Sequence, residues 1–286
     1  MKSSDGKFLK EFEEKVYSTI KKHKLINPDD NVLVAVSGGK DSTTTLFVLK
    51  KLGFNVSGMI IDQLLGAYSK KNIGNIKSFC AGEEIELHVV QMRDEFGCSV
   101  CHMQSVLADK GVHINACTIC GVVRRNILNK KGRKLKASCI ATGHNLDDEA
   151  QTVFMNFIQG NVMQSARLGP KTGLLSHKKF IPRIKPLYFC TEAETERYSR
   201  LNEFPVVYDP CPCSLDSFRS EVKGMLNRLE VEKPGTKKNI IYGFLKVLPE
   251  LKKQVTSGVI CECDLCGEPS SKKICKTCEL LSQLSS

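Results

Sequence analysis

Long apolar runs are missing from this chain of 286 residues, and nothing in it approaches the ~20 consecutive apolar residues that a bilayer-spanning helix needs. The first ten residues, Met1 to Lys10, are polar and charged and lack the apolar centre of a secretory signal. The expectation is a cytoplasmic protein with no membrane partner. Internal repeats and low-complexity segments are also absent. Acidic residues are missing from two particular stretches. None lies between Arg124 and Lys136, where Arg124, Arg125, Lys130, Lys131, Arg133, Lys134 and Lys136 are all basic. None lies between Glu149 and Glu192 either, where Arg167, Lys171, Lys178, Lys179, Arg183 and Lys185 remain. Forty-two basic residues against 31 acidic ones leave a net charge of +11. Charge segregated in this way suits a polyanion such as nucleic acid, which releases counterions as its phosphates are neutralised. A solvated basic surface is the alternative.

What is present begins with Val32-Leu-Val-Ala-Val-Ser-Gly-Gly-Lys-Asp-Ser-Thr43. The apolar, β-branched start reads as a buried strand, and a helix pattern follows from Thr44 to Leu52. Between them, Gly38 and Gly39 let the backbone turn tightly and offer its N–H groups to an anion. The positive end of the following helix points at the same place. Lys40 adds a mobile cation, and Ser37 and Ser42 add hydroxyl donors. The spacing matches neither the GxxxxGK[ST] phosphate loop nor the GxGxxG dinucleotide turn. Ser37-Gly38-Gly39-Lys40-Asp41-Ser42 resembles instead the PP-loop of ATP pyrophosphatases, which release pyrophosphate and transfer AMP. The alternative is an ordinary glycine-containing strand-to-helix turn.

Further strands are expected at 55–61, 85–90 and 137–142, separated by helical patterns near 43–52, 70–82 and 118–131. This alternation argues for an α/β fold with a doubly wound parallel sheet, its ligand at the carboxyl ends of the strands. Ahead of it, Phe8, Phe12, Val16 and Ile20 repeat at helical spacing, so residues 7–25 read as an amphipathic helix packing on the main domain. After Gly160 the pattern weakens. Gly169-Pro170, Pro182 and Pro186 mark a long connection facing the substrate, and helices follow at 191–203, 215–232 and 239–254. The expected division is an N-terminal helix and linker (1–30), a PP-loop domain (31–256) and a cysteine-rich tail (257–286).

A second strand-to-helix turn, Thr142-Gly143-His144-Asn145-Leu146-Asp147-Asp148-Glu149, repeats the geometry of the first. Gly143 permits close backbone approach, and Asn145 suits a helix start. Asp147, Asp148 and Glu149 complement the helix dipole, which is a sufficient structural reason for three acids there.

Fourteen cysteines in a reducing compartment point to metal rather than disulfides. Cys263-x2-Cys266 and Cys275-x2-Cys278 fall in a segment too short for a core of its own. They predict a closed four-thiolate zinc ribbon, with Cys261 as an alternative to Cys263. Cys98-x2-Cys101 and Cys117-x2-Cys120 also have zinc-ribbon spacing.

CxxCGxxRR after the PP-loop, the later Cys211-Pro212 and the terminal CxxCGxPSSxxxCxxC together resemble the TtuA and cytosolic wobble-uridine thiolase superfamily. These are PP-loop tRNA 2-thiouridine synthetases, and the resemblance runs from about residue 31 to the C-terminus. It implies a [4Fe–4S] cluster on Cys117, Cys120 and Cys211, with Cys213 the weaker candidate because the family's Cys-Pro matches Cys211. It implies an ATP site formed by Ser37, Gly38, Gly39, Lys40, Asp41, Ser42, Ile60, Arg124, Gly143 and Asp148. Lys40 would stabilise the transferring phosphoryl group. Asp148 would serve as Mg²⁺ ligand or general base, and His144 would be catalytic or positional. AMP would pass to the uridine (or ribothymidine) C2 oxygen, and cluster-bound sulfur would then displace it. The basic segments 124–136 and 167–185 would hold the tRNA. The sulfur donor would be a thiocarboxylated ubiquitin-like protein or free sulfide, and the chain would be a homodimer, as is common in the family. A persulfide on Cys120 or Cys211, without a cluster, is the rival within the family. Two features depart from the pattern: residues 1–30 hold no cysteine, where many relatives have a zinc knuckle, and Cys98 and Cys101 match nothing in it. Outside the family, the alternatives are a PP-loop ligase or amidotransferase adenylating a small substrate, and a non-catalytic zinc-containing RNA-binding protein. The target position, 34 or 54, stays open.

Overall fold

The computed structural model describes residues 3–173, 177–214, 218–255 and 260–285. In chain order the first half contains α1 (Ser3–Lys22), β1 (Asn31–Val36), α2 (Lys40–Lys51), β2 (Asn55–Asp62), α3 (Ala67–Gly82) and β3 (Leu87–Gln91). Then come α4 (Met92–Phe96), α5 (Val100–Asp109), α6 (Ala116–Lys134), β4 (Cys139–Thr142) and α7 (Leu146–Ile158). The second half adds α8 (Val162–Ser165), β5 (Lys171–Thr172), β6 (Arg183–Ile184), α9 (Glu192–Leu201), α10 (Phe218–Glu232) and α11 (Thr236–Val255). A tail of β7 (Cys261–Glu262), β8 (Pro269–Ser270) and α12 (Lys276–Ser285) closes the chain.

Six strands form one sheet in the order β3-β2-β1-β4-β6-β5, parallel except for β5 at the edge. Side chains alternate faces along a strand, so an apolar run must be covered on both sides. In β1, Val32, Val34 and Val36 face a core completed by α1, α2, α3 and α9. Leu33 and Ala35 face the other core, with α5 and α6. The amphipathic first helix behaves as its spacing predicts: Phe12, Val16 and Ile20 are buried, and Phe12 stacks on Tyr198 of α9 at 4.5 Å between ring centroids.

From β1 the chain winds outward through β2 to β3, then returns to the opposite side of β1 to make β4. Strand order therefore reverses between β1 and β4, and the crevice beyond the carboxyl ends of those two strands is where open α/β sheets bind ligands. Both signature turns, after β1 and after β4, open into that crevice. The connection from 160 to 190 was expected to be a loop; it contains β5 and β6, each only two residues long and thus invisible to periodicity. The short helices α4 and α5 were likewise not foreseen. The expected helix at 215–232 begins in residues outside those described and is seen from Phe218.

Candidate active site

α2 begins at Lys40, four residues before the helix expected from Thr44, so Lys40, Asp41 and Ser42 occupy its first turn. Gly39 is its N-cap, with no side-chain cap, which leaves the terminal N–H groups of the helix open to a ligand. Gly38 has φ +79°, and a Cβ there would come within 2.7 Å of Asn72 on α3. The loop is braced from within. Ser42 Oγ lies 3.1 Å from Ser37 Oγ and receives the Ser37 N–H at 3.0 Å.

Lys40 is not free. Its Nζ donates to Asp41 at 3.0 Å and to Glu192, at the start of α9, at 3.2 Å. Burial works against its charge, but the two carboxylates raise its pKa. Glu192 also accepts from Lys223 of α10 at 2.8 Å. Glu192 carries no motif of its own; the one sequence signal is the Thr191-x-x-Glu194 capping box around it.

The second turn locks onto the first. A Cβ on Gly143 would meet the Ser42 nitrogen at 2.6 Å and the Asp41 carbonyl carbon at 2.7 Å, so backbone packs on backbone here. Asn145 donates to Asp41 at 3.1 Å and forms a capping box with Asp148, whose carboxylate receives the Asn145 N–H at 3.2 Å. Desolvation, and then the nearby charge of Asp41, push Asp148 up to about 6. Burial likewise raises Asp41. Two carboxylates held together and short of solvation fit a divalent cation.

His144 Nδ1 lies 2.9 Å from Thr142 Oγ1, and the residue is exposed. Desolvation, with Lys185, Arg124, Arg219 and Arg183 around it, lowers its pKa and keeps the ring neutral. Arg183 is itself pulled down to about 10 by burial and by Arg125. Arg219 donates to the Asp148 carbonyl, Gln151 and Thr152. Of this group, unforeseen as a set, Arg124, Arg183 and Arg219 stand near His144 at the second turn.

Several charges of the two basic stretches are spent internally. Lys130 and Lys131 pair with Glu95, Arg133 with Glu268, Lys179 with Glu262, and buried Lys185 with Glu149. The partners lie far away in sequence or outside the acid-free windows, so a local charge count overstates what reaches solvent. The expectation that both whole stretches hold a polyanion contracts to the cations left near His144 and to Lys134, Lys136, Arg167, Lys171 and Lys178.

A cleft of about 340 Å³ runs from Ser37 at the end of β1 to the cysteines. Ser37 and the strand end at Ile60 line it, together with Cys117, Cys120 and Arg124 of α6 and with Cys211 and Cys213. Asn115 caps α6 just before the cysteine pair. Cys211 arrives from far along the chain because the segment after α9 runs back beside the PP-loop, where Gly39 bridges to Val207. Cys117 Sγ then donates to the Cys213 carbonyl at 3.3 Å. Burial raises Cys120, while Arg124, hydrogen-bonded to it, pulls the other way. Four thiols, Cys213 among them, line the cleft, and three of them suffice for an iron–sulfur cluster that keeps one site open.

Cys98 takes no part: its thiol donates to the Phe96 carbonyl, and it packs against the α5–α6 core. The zinc-ribbon alternative on Cys98, Cys101, Cys117 and Cys120 is therefore not assembled. Among the described residues, the one group closing to single-ion spacing is Cys263, Cys266, Cys275 and Cys278, all within 4.8 Å of one another. Desolvation opposes ionisation of Cys263, but the backbone N–H groups of Cys275, Cys266 and Leu265 bring it down to about 6. Cys261 lies outside this group and donates to the Ser270 and Lys272 carbonyls, so it does not replace Cys263.

The PP-loop domain family matches residues 8–228. A tRNA-5-methyluridine(54) 2-sulfurtransferase of Pyrococcus horikoshii is 36% identical over 95% of this chain and 85% of its own length. The chain belongs to the PP-loop family of tRNA 2-thiolation proteins. Haloferax volcanii has a tRNA 2-thiolation protein NcsA that is 29% identical over 98% of the chain and 92% of that protein. Among solved structures, the U34-tRNA thiolase NcsA of Methanococcus maripaludis, with its [4Fe–4S] cluster, is 34% identical with a TM-score of 0.82. That match covers 98% of this chain and 89% of the other. Family membership thus accords with the fold and cysteine pattern read from the sequence.

Proposed function

We propose that this thiolase-family chain activates the C2 oxygen of a tRNA uridine, or ribothymidine, with AMP from ATP and replaces it with sulfur. The observation that carries the reading is the shared cleft, which Ser37 of the PP-loop lines together with Cys117, Cys120, Cys211 and Cys213. Open N–H groups at the start of α2, with the hydroxyls of Ser37 and Ser42, would hold the phosphates. The backbone at Ile60 would face the adenine. Lys40 would leave Glu192 for the transferring phosphoryl group, stabilising charge where it develops. Asp41 and Asp148 would bear Mg²⁺. The neutral His144 would position the base rather than supply a charge.

Cys117, Cys120 and Cys211 would hold a [4Fe–4S] cluster, which would supply a binding site for the incoming sulfur. Arg124, in contact with Cys120, would bridge the two halves of the cleft. Cys263, Cys266, Cys275 and Cys278 would bind structural zinc, leaving residues 31–256 as the catalytic domain behind the N-terminal helix. The cations near His144 would receive the tRNA backbone. A ubiquitin-like thiocarboxylate or free sulfide as donor, a dimer and a cytoplasmic location belong to the same reading. A ligase for a small carboxylate would leave the cleft thiols and the neighbouring cations without employment.

Nucleoside mass spectrometry with fragment mapping, on tRNA from cells lacking the gene, tests this directly. Loss of a 2-thiouridine-type nucleoside is expected, and its mapped position decides between 34 and 54. Survival of every thiolated nucleoside would remove the proposal.

A further inference from the structure

Glu192 has no part in the chemistry described so far, yet it holds the PP-loop lysine. Its Oε1 accepts from Lys40 at 3.2 Å and from Lys223 of α10 at 2.8 Å, so two cations share one oxygen. The carboxylate is fixed in place by its backbone. The Glu192 N–H donates to Asp147 at 2.7 Å, and Lys237 of α11 holds Asp147 in turn. Thr191 and Glu194 close a capping box around the same turn. The helix behind it is fixed as well, since Tyr198 of α9 meets Phe47 of α2 with ring centroids 6.4 Å apart. Only 13% of the Lys40 side chain is exposed, so its counter-charge comes from the protein or from a ligand rather than from water. Asp41 supplies one such charge at 3.0 Å, but it neighbours the lysine on the same helical turn. Glu192 reaches Lys40 from a different element, and it is the partner that an incoming phosphate has to displace.

We propose that Glu192 is a positioning residue that competes with ligand phosphates for Lys40 and so drives pyrophosphate out of the site. The inference rests on the reading of ATP cleavage to AMP and deepens it. Pyrophosphate is left beside a helix N-terminus and a lysine, and the same donors that favour ATP there also retain the product. A carboxylate within reach of that lysine opposes retention, because it offers an internal anion at high effective concentration. Lys223 keeps the exchange from stranding a charge. When Lys40 turns to a phosphate, Glu192 still has one cation, so no carboxylate is left unpaired in a partly buried place. When pyrophosphate departs, Lys40 returns to Glu192. Ion pairs are exchanged in both directions, and no covalent bond is made or broken. Glu192 thus raises the concentration of ATP needed for binding and shortens the stay of the product.

The test is calorimetric titration of the full chain with magnesium pyrophosphate and, separately, with an α,β-methylene analogue of ATP that cannot release pyrophosphate. E192Q keeps the size of the side chain, and its backbone N–H can still reach Asp147. It should bind pyrophosphate about fivefold tighter, the factor that corresponds to one partly exposed ion pair. A gain in affinity is a result that damage to the fold does not produce. In a K40M background the same Glu192→Gln change should leave pyrophosphate affinity unaltered, because the lysine through which Glu192 acts is gone. Equal tightening with and without Lys40 would mean simple repulsion between Glu192 and the ligand, and would overturn the proposal. E196Q removes a charge from the same helix, where Glu196 faces Arg200, and should match the unmodified chain. Unchanged or weaker pyrophosphate binding by E192Q would also overturn the proposal, while ATP-analogue binding by the unmodified chain left the nucleotide site standing. Failure of the unmodified chain to bind either ligand would remove the nucleotide reading itself, and this inference with it.

Discussion

At Asp148 one carboxylate has two duties, and a conservative change separates them. It caps α7 by accepting the Asn145 N–H, and it stands desolvated beside Asp41. With its pKa raised to about 6, the group is protonated below that pH and ionised above it. If the ionised form serves ATP, kcat/KM for ATP should climb between pH 5 and 7, since that parameter reports the free enzyme. D148N can still accept the capping hydrogen bond, so its helix should persist while the acid limb of the profile disappears. A profile identical to that of the unmodified chain would show that the carboxylate serves only as a cap. Gly143→Ala is expected to act differently. Its Cβ would press on backbone atoms, which cannot rotate away, so both ATP affinity and thermal stability should fall together. The PP-loop was legible in the sequence because its donors are consecutive residues. Glu192 was not, because the contact that gives it meaning, with Lys40, spans 152 positions.

Among the elements, α7 is fastened to the C-terminal helices by a buried charge. Lys237 of α11 donates to Asp147, and also to Asn227; Asp147 in turn accepts the Glu192 N–H at 2.7 Å. Asp147 and Lys237 are only 5% and 8% exposed, so removing the lysine leaves a carboxylate stranded away from water. K237A should cost about 3–5 kcal/mol in denaturant unfolding, well beyond a surface pair. A change below about 1 kcal/mol would mean that water reaches the site. The longer helices and strands were readable from periodicity to within a few residues, whereas α4, α5 and α12 were not. β5 and β6 were not, since two residues define no period, and Cys211's place in the cleft depends on the Gly39–Val207 bridge rather than on any local pattern.

Across the whole molecule, Arg124, Arg125, Arg183 and Arg219 form a patch of neighbouring cations near His144. Arg125 and Arg183 belong to that patch, each with its pKa lowered by burial and by a neighbouring arginine. Each phosphate contact removed should weaken tRNA binding and reduce its salt dependence. R125A should therefore lower the slope of log K against log salt by about 1, with little regard to sequence. Lys130→Ala, whose charge faces Glu95, should leave that slope alone. The net charge of +11 was legible from composition, but its placement required knowing which acids fold back onto which lysines.

The contact at Gly143 carries a lesson for transplantation. Because the backbone of the second turn seats directly on residues 41 and 42, the six-residue PP-loop is half of a two-piece fitting. Grafted alone onto another parallel sheet, SGGKDS would lack the surface that sets its curvature. A designer moving this nucleotide site would have to carry the β4–α7 corner with it, glycine included.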